Sequence, residues 1–173
     1  RTSPDQNASP TAAQLRWDPF PSIASDTTWL TGLATVATNG NTEMQAGGAV
    51  HHFVASQSMG DTAFVNTDGE LMLVPYEGHL SIKTEMGHLE VNPGHIAVIP
   101  RGVKFSVDLS TDTARGYVCE NYGANFSLPE HGLVGVDANA LPRDFEYPVA
   151  AYDRDDRSTS LIAKISGQLF STE

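Results

Sequence analysis

Six glycine-bearing turns punctuate the middle of this chain at an even pace. They are Ser58-Met59-Gly60, Thr67-Asp68-Gly69, Tyr76-Glu77-Gly78, Glu85-Met86-Gly87, Asn92-Pro93-Gly94 and Pro100-Arg101-Gly102, with glycines 9, 9, 9, 7 and 8 residues apart. Short apolar runs fill the gaps between them. Such regular punctuation predicts consecutive short antiparallel strands in a sandwich or barrel.

The expected strands are Ala49–Ser56, Thr62–Asn66, Glu70–Val74, His79–Thr84, His88–Val91, Ile96–Ile99, Lys104–Asp108 and Arg115–Asn121. In His79–Lys83, Leu80 and Ile82 share one face while His79, Ser81 and Lys83 share the other, and Leu89 and Val91 repeat the pattern. A period of two with one apolar face marks half-buried strands. Leu80, Ile82, Leu89, Val91, Phe105 and Val107 are therefore expected in the core. Residues 1–28 are rich in Pro, Ser, Thr and Ala without a sustained period, and read as an N-terminal arm that Trp17 and Phe20 tack down. Residues 29–122 read as the β-domain. Residues 123–173 open with a long stretch holding three prolines, a length that is uncommon inside a compact domain and is usually functional or packed against something. They close on a strand at Ser160–Ser166 that is expected to start a new sheet.

The 173 residues suffice for one good-sized domain. A net charge of -11 argues against nucleic acid or an anionic membrane as partner, because both require a basic footprint. No apolar run approaches the ~20 residues of a membrane span, and no secretion signal is visible. The single cysteine, Cys119, forms no internal disulfide, which points to a reduced, cytoplasmic protein. The chain starts at Arg1, so a natural N-terminus is expected to lie further upstream.

The stretch Asn92–Phe105 resembles the second half of the cupin frame, G-x5-P-x-G-x2-H, through Gly94, Pro100 and Gly102. Where cupins close that frame on a metal-binding histidine, this chain has Phe105. The first half of the frame falls within Ala63–Gly78. Gly78 supplies its final glycine, Glu70 lies close to its acidic position, and its two histidine positions fall near Phe64 and Asn66. Two residues apart on a strand, Phe64 and Asn66 point to one face as a ligand pair must. Phe cannot coordinate, however, and a lone Asn oxygen is a weak donor for a transition metal. The resemblance implies an all-β, cupin-type jelly-roll barrel whose interior is apolar where a metal would sit.

The six histidines form no alternative set. His51 and His52 are neighbours on a strand and face opposite ways. His79 and His88 share polar faces with Lys83 and Glu90, His95 follows a turn, and His131 lies in the long loop. No H-x-H, H-x3-H or H-E-x2-H spacing occurs. Cys119 sits with apolar neighbours in Arg115–Gly123, the setting of an inert thiol. No G-x-S-x-G elbow or G-x-G-x-x-G turn is present. The run Asp153–Arg157 reads as a solvated turn of mixed charge. These residues therefore offer no catalytic, cofactor-binding or metal site.

Three stretches carry a more specific resemblance: Gln14–Phe20 (QLRWDPF), Asn66–Asp108, and Arg115–Arg154 with its segments ENYGANFSLPE and ANALPRDFEYPVA. Together they resemble the homogentisate 1,2-dioxygenase family over nearly the whole chain. That resemblance implies Fe(II) and O2 used to open the ring of homogentisate to maleylacetoacetate in tyrosine and phenylalanine breakdown. It also implies two cupin domains per chain, assembled as a homotrimer or a dimer of trimers. The iron ligands it implies, two histidines and a carboxylate, belong to the C-terminal cupin, and none falls on a residue of this sequence. The expectation is an N-terminal scaffold domain that is inactive by itself. The competing expectation is a stand-alone, metal-free cupin acting as a binding or assembly module. Coding sequence beyond Glu173 that carries a His…Glu…His set separates the two.

Overall fold

The computed structural model describes residue 12 and residues 24–128, 140–152, 154 and 156–172. Trp17, Phe20, His131, Asp153 and most of the long loop lie outside these residues. The described chain is built from strands: β1 (Leu33–Asn41), β2 (Ala46–Ala55), β3 (Thr62–Asn66), β4 (Glu70–Glu77), β5 (Leu80–Thr84), β6 (Gly87–Val91), β7 (Ala97–Ile99), β8 (Lys104–Leu109), β9 (Ala114–Asn121), β10 (Ser160–Ile165) and β11 (Gln168–Thr172). One 3-10 turn, Pro142–Asp144, is the sole helical element among the described residues.

Two sheets form. One runs β1-β2-β9-β4-β7 and the other β11-β10-β3-β8-β5-β6. Both send apolar side chains into one core, with Phe53, Leu71, Leu73 and Val118 from the first and Phe64, Leu80, Ile82, Phe105 and Val107 from the second. The all-β jelly-roll expectation holds, although the sheets stay separate and do not close into a continuous barrel. Leu80, Ile82, Val91, Phe105 and Val107 are buried, and Leu89 is partly buried against the same cluster.

The turns explain the register. Gly78 has φ +78°, and a Cβ there would stand 2.1 Å from the Thr113 carbonyl oxygen. The chain thus needs glycine both for the left-handed turn and for the close approach of the β8–β9 connection. Gly87 makes a similar approach to Val149, which exchanges two backbone hydrogen bonds of 2.8 Å with His88. Part of the long C-terminal stretch is thereby docked on β6.

Three features depart from the sequence reading. The strand Leu33–Asn41 was not expected, because its Ala, Thr, Asn and Gly residues carry almost no apolar alternation; it is held as an edge by pairing with β2. The expected strand at Ser160–Ser166 does not start a new sheet. It is β10, which pairs in parallel with β3, with Ile162 opposite Phe64 and Lys164 opposite Asn66. The chain then turns through Ser166 (φ 47°) and Gly167 (φ 73°) into β11. Two positive φ values at a two-residue loop match the twist of an antiparallel hairpin.

Trp29 centres the apolar core at 0% exposure. Its ring lies 5.4 Å from Phe105, 6.1 Å from Phe64 and 6.4 Å from Phe53, and Phe64 meets Phe105 edge to face at 5.7 Å. Four aromatic rings from both sheets and the entering chain interlock here. Phe64→Ala is expected to cost about 3–5 kcal/mol, read as a lower urea midpoint with an unchanged slope; a loss under 1 kcal/mol would show that the cluster does not hold the sheets together.

Candidate functional site

Alternation along β9 points Ala114, Gly116, Val118 and Glu120 inward, so the last inward position is a carboxylate. Along β10 the same phase points Ile162 and Lys164 inward. Glu120 and Lys164, on different sheets, meet in the interior at 1% exposure each. The Lys164 ammonium donates to both Glu120 oxygens, at 2.5 and 2.6 Å. Asn66 Nδ2 donates to Oε1 at 2.6 Å, and His51 Nε2 lies 3.1 Å from Oε2. The carboxylate keeps the proton on Nε2, which leaves His51 Nδ1 to take the Thr35 hydroxyl at 3.0 Å.

A second carboxylate extends the cluster. Asp68 lies 3.8 Å from Lys164 Nζ, and its two oxygens accept 2.7 Å hydrogen bonds from the backbone N–H groups of Ser166 and Gly167. It thereby caps the β10–β11 turn. Asn66 Oδ1 accepts from the Asp68 N–H at 3.0 Å, so both ends of the Asn66 amide are used. The Lys164 ammonium also lies 5.7 Å from the Tyr122 ring centroid, within cation–π range. Glu70, on β4, accepts from the Phe126 N–H at 2.6 Å and holds the start of the long segment.

Burial alone would raise the Glu120 pKa. The hydrogen bond from His51, the charge and hydrogen bonds of Lys164, and the Asn66 amide outweigh burial and hold it below the ordinary carboxylate range. Burial, followed by the charges of Glu120 and Asp68, pushes the Tyr122 phenol far up, so it stays neutral. Glu120 receives donors on all sides, and its lowered pKa makes it a poor proton acceptor. The arrangement is that of a buried ion pair.

The interior is thus not apolar throughout, as the sequence reading had it. Phe64 and Phe105 fill one end with aromatic packing, while Asn66 enters the ionic cluster at the other. Among the described residues, no group of three or more His, Cys, Asp or Glu side chains is placed to hold a metal ion. The residues at the cupin ligand positions do not fit an iron site: two are phenyl rings, and the third is spent on Glu120 and Asp68. His51 and His52 do face opposite ways, the first into the ionic cluster and the second onto Tyr76 and Tyr117. His79 and His95 are exposed and His88 is half-buried. Cys119 is half-buried, and burial followed by the Glu120 charge raises its thiol, which fits an inert group. Sequence reasoning missed Glu120 and Lys164. The inward phase of Val118 and Ile162 marks both, but their meeting depends on the β3–β10 pairing.

Comparison with known proteins adds sequence relationships to this geometry. The model for the N-terminal region of homogentisate 1,2-dioxygenase matches residues 1–173. Homogentisate 1,2-dioxygenase of Rhodopseudomonas palustris (strain BisA53) is 49% identical over 172 residues, covering 99% of this chain and 38% of that protein. The enzyme of the same name from Nitrobacter hamburgensis is 46% identical over 172 residues, again covering 99% and 38%. The chain therefore spans about 38% of the length of the curated relatives it matches. Among solved structures, an RmlC-like cupin protein of Methanocaldococcus jannaschii with a double-stranded β-helix fold superposes with a TM-score of 0.46 at 13% identity, over 63% of this chain and 93% of its own.

Removing one partner of the buried pair exposes its cost. Lys164→Met is expected to destabilise by about 3–5 kcal/mol because Glu120 is left charged and uncompensated, whereas adding Glu120→Leu should restore most of that loss. Urea melts of the single and double variants decide this, and equal losses in both would contradict the pairing. The pH dependence has a definite sign. Because the folded pKa of Glu120 lies below its unfolded value, its contribution is complete above the ordinary carboxylate range and disappears as pH falls through the folded pKa. Melts between neutral and acid pH should show that loss in the native chain and a smaller one in Glu120→Gln.

Proposed function

Because the chain belongs to the homogentisate 1,2-dioxygenase N-terminal family, we propose that it is the N-terminal scaffold domain of an Fe(II)-dependent dioxygenase that opens the ring of homogentisate to maleylacetoacetate. The observation that carries this reading is the family match along all of residues 1–173, seconded by identities near one half to enzymes of that name. In this proposal the iron, homogentisate and O2 are bound by the part of the longer protein outside this chain. The assembly is a homotrimer or a dimer of trimers, and the compartment is the cytoplasm. No helix among the described residues is long and apolar enough to cross a membrane.

The interior supports the scaffold role. A metal site needs converging ligands with open coordination positions, and here the equivalent space holds the Trp29–Phe64–Phe105 cluster and the saturated Glu120–Lys164 pair. What this domain contributes is rigidity: a filled core, an ion pair between the sheets, and a docked C-terminal hairpin. The iron supplies the activation of oxygen and substrate wherever it is bound.

The test compares the full-length protein with residues 1–173 alone, each reconstituted anaerobically with ferrous iron. The full-length protein is expected to hold tightly bound iron and to consume one O2 per homogentisate as the ring opens. Residues 1–173 are expected to retain no stoichiometric iron and to take up oxygen no faster than the metal-only control. Near-equimolar iron or ring opening by the short chain would overturn the scaffold reading, and an inactive full-length protein would overturn the dioxygenase reading.

A further inference from the structure

The outer side of the six-stranded sheet carries a pocket of about 320 Å³. Along β8, Phe105 and Val107 point into the core, so Lys104 and Ser106 point the other way. Lys83 of β5 stands directly opposite Ser106 in the ladder, which sets the serine between two lysines. Gly60 and Ala63 leave room beside them, and Asp156, Arg157 and Thr159 border the pocket where the chain runs into β10. Two contacts fix that border: Arg157 Nε lies 3.1 Å from the Asp61 carboxylate, and the Ser160 N–H donates to the Asp61 carbonyl at 2.9 Å.

Two features set this pocket apart from ordinary polar surface. The sequence holds three lysines; Lys164 is spent on Glu120, and both of the others line this pocket beside Arg157. The second feature is Ser106. It is only 9% exposed, and its Oγ has no hydrogen-bond partner among the described residues. Buried hydroxyls are almost always paired, since one without a partner has lost its water for nothing. The lysines keep donors to spare. Lys83 Nζ reaches Asp108 at 2.7 Å and Lys104 Nζ reaches Glu85 at 3.3 Å, but an ammonium has further N–H groups, and pairs this open to solvent are weak. Glu85 is held in place from another side, because the Lys104 backbone N–H donates to it at 2.8 Å.

We propose that this pocket binds the carboxylate of a small organic acid. Lys83 and Lys104 turn from their surface partners onto the incoming charge, and this opens Ser106, whose hydroxyl donates a third hydrogen bond. Hydrogen bonds to an ionised acceptor are the strong ones, and three donors converging on one carboxylate give the site its direction. Glu85 and Asp156 also line the pocket, so a ligand of higher negative charge is repelled and a single carboxylate is favoured. The volume suits a compact molecule.

The test follows acetylation of Lys83 and Lys104 in the full-length protein, read by peptide mass at constant ionic strength. Benzoate, a compact monocarboxylate, is expected to slow both lysines in a saturable way, whereas benzamide, its neutral isostere, is not. Ser106→Ala is expected to raise the half-protecting benzoate concentration about tenfold, as for loss of a hydrogen bond to a charged group. The same variant should melt no lower than the native protein, because the hydroxyl it removes has no partner in the fold. Lys83→Gln, at a half-exposed position, should weaken protection of Lys104 by a similar factor, and Arg143→Gln, outside the pocket, should leave it unchanged. Inorganic phosphate protecting as well as benzoate would overturn the assignment to a carboxylate. Acetylation indifferent to benzoate, or protection untouched by Ser106→Ala and Lys83→Gln, would overturn the site itself. Oxygen uptake enters none of these readouts, so the dioxygenase reading stands or falls separately.

Discussion

The bond between Lys164 and Glu120 ties together parts of the fold that the chain itself keeps far apart. Glu120 ends β9 in the five-stranded sheet, and Lys164 ends the inward run of β10 in the six-stranded sheet. Backbone ladders hold each sheet internally, and among the described residues side chains pack the sheets against each other. Apolar contacts do this over most of the core, without fixing which side chain meets which. An ammonium donating to both oxygens of a carboxylate does fix it, and a shift of one residue on either strand would turn a charge outward and leave its partner buried alone. Asp68 reinforces the same alignment by taking both N–H groups of the β10–β11 turn.

A filled interior follows from the same residues. The inner surface divides into an aromatic end around Trp29 and an ionic end around Glu120, with Phe64 and Asn66 two residues apart on β3 serving one end each. Where a metal would otherwise satisfy inward-pointing polar groups, Lys164 is the resident cation and Asn66 and His51 complete its carboxylate. Buried charge of this kind is costly unless every donor and acceptor is matched. Here Lys164, Asn66 and His51 supply that matching for Glu120.

Much of this was legible in the sequence, and the part that was not has a physical reason. Glycines at Gly60 to Gly102 announced the strands because tight turns need left-handed backbone, as at Gly78 and Gly102. Alternation located Leu80, Ile82, Phe105 and Val107 in the core. The strand Leu33–Asn41 escaped because an edge strand of small polar residues carries no periodic signal. The ionic cluster escaped for another reason. Glu120 and Lys164 each look like a surface charge until β10 is laid parallel to β3, a long-range pairing that local pattern does not encode. The sequence also placed Asn66 and Phe64 on one face of β3, but not the partners that Asn66 meets there.

A closed interior moves the functional burden of such a domain to its surfaces. Glu120 with its three donors and the interlocked Phe64 and Phe105 hold the two sheets in register. The outer face of the five-stranded sheet is under the opposite constraint. Its rows through Val50 and Tyr117 contribute little to the core, because the opposite-phase residues Phe53 and Val118 already fill that side. Apolar residues on a free face gain nothing from water and invite nonspecific association. Val98, Val50, Tyr76 and Tyr117 on that face are 36%, 41%, 47% and 49% exposed, so changing them costs the fold less than changing Phe53 or Val118.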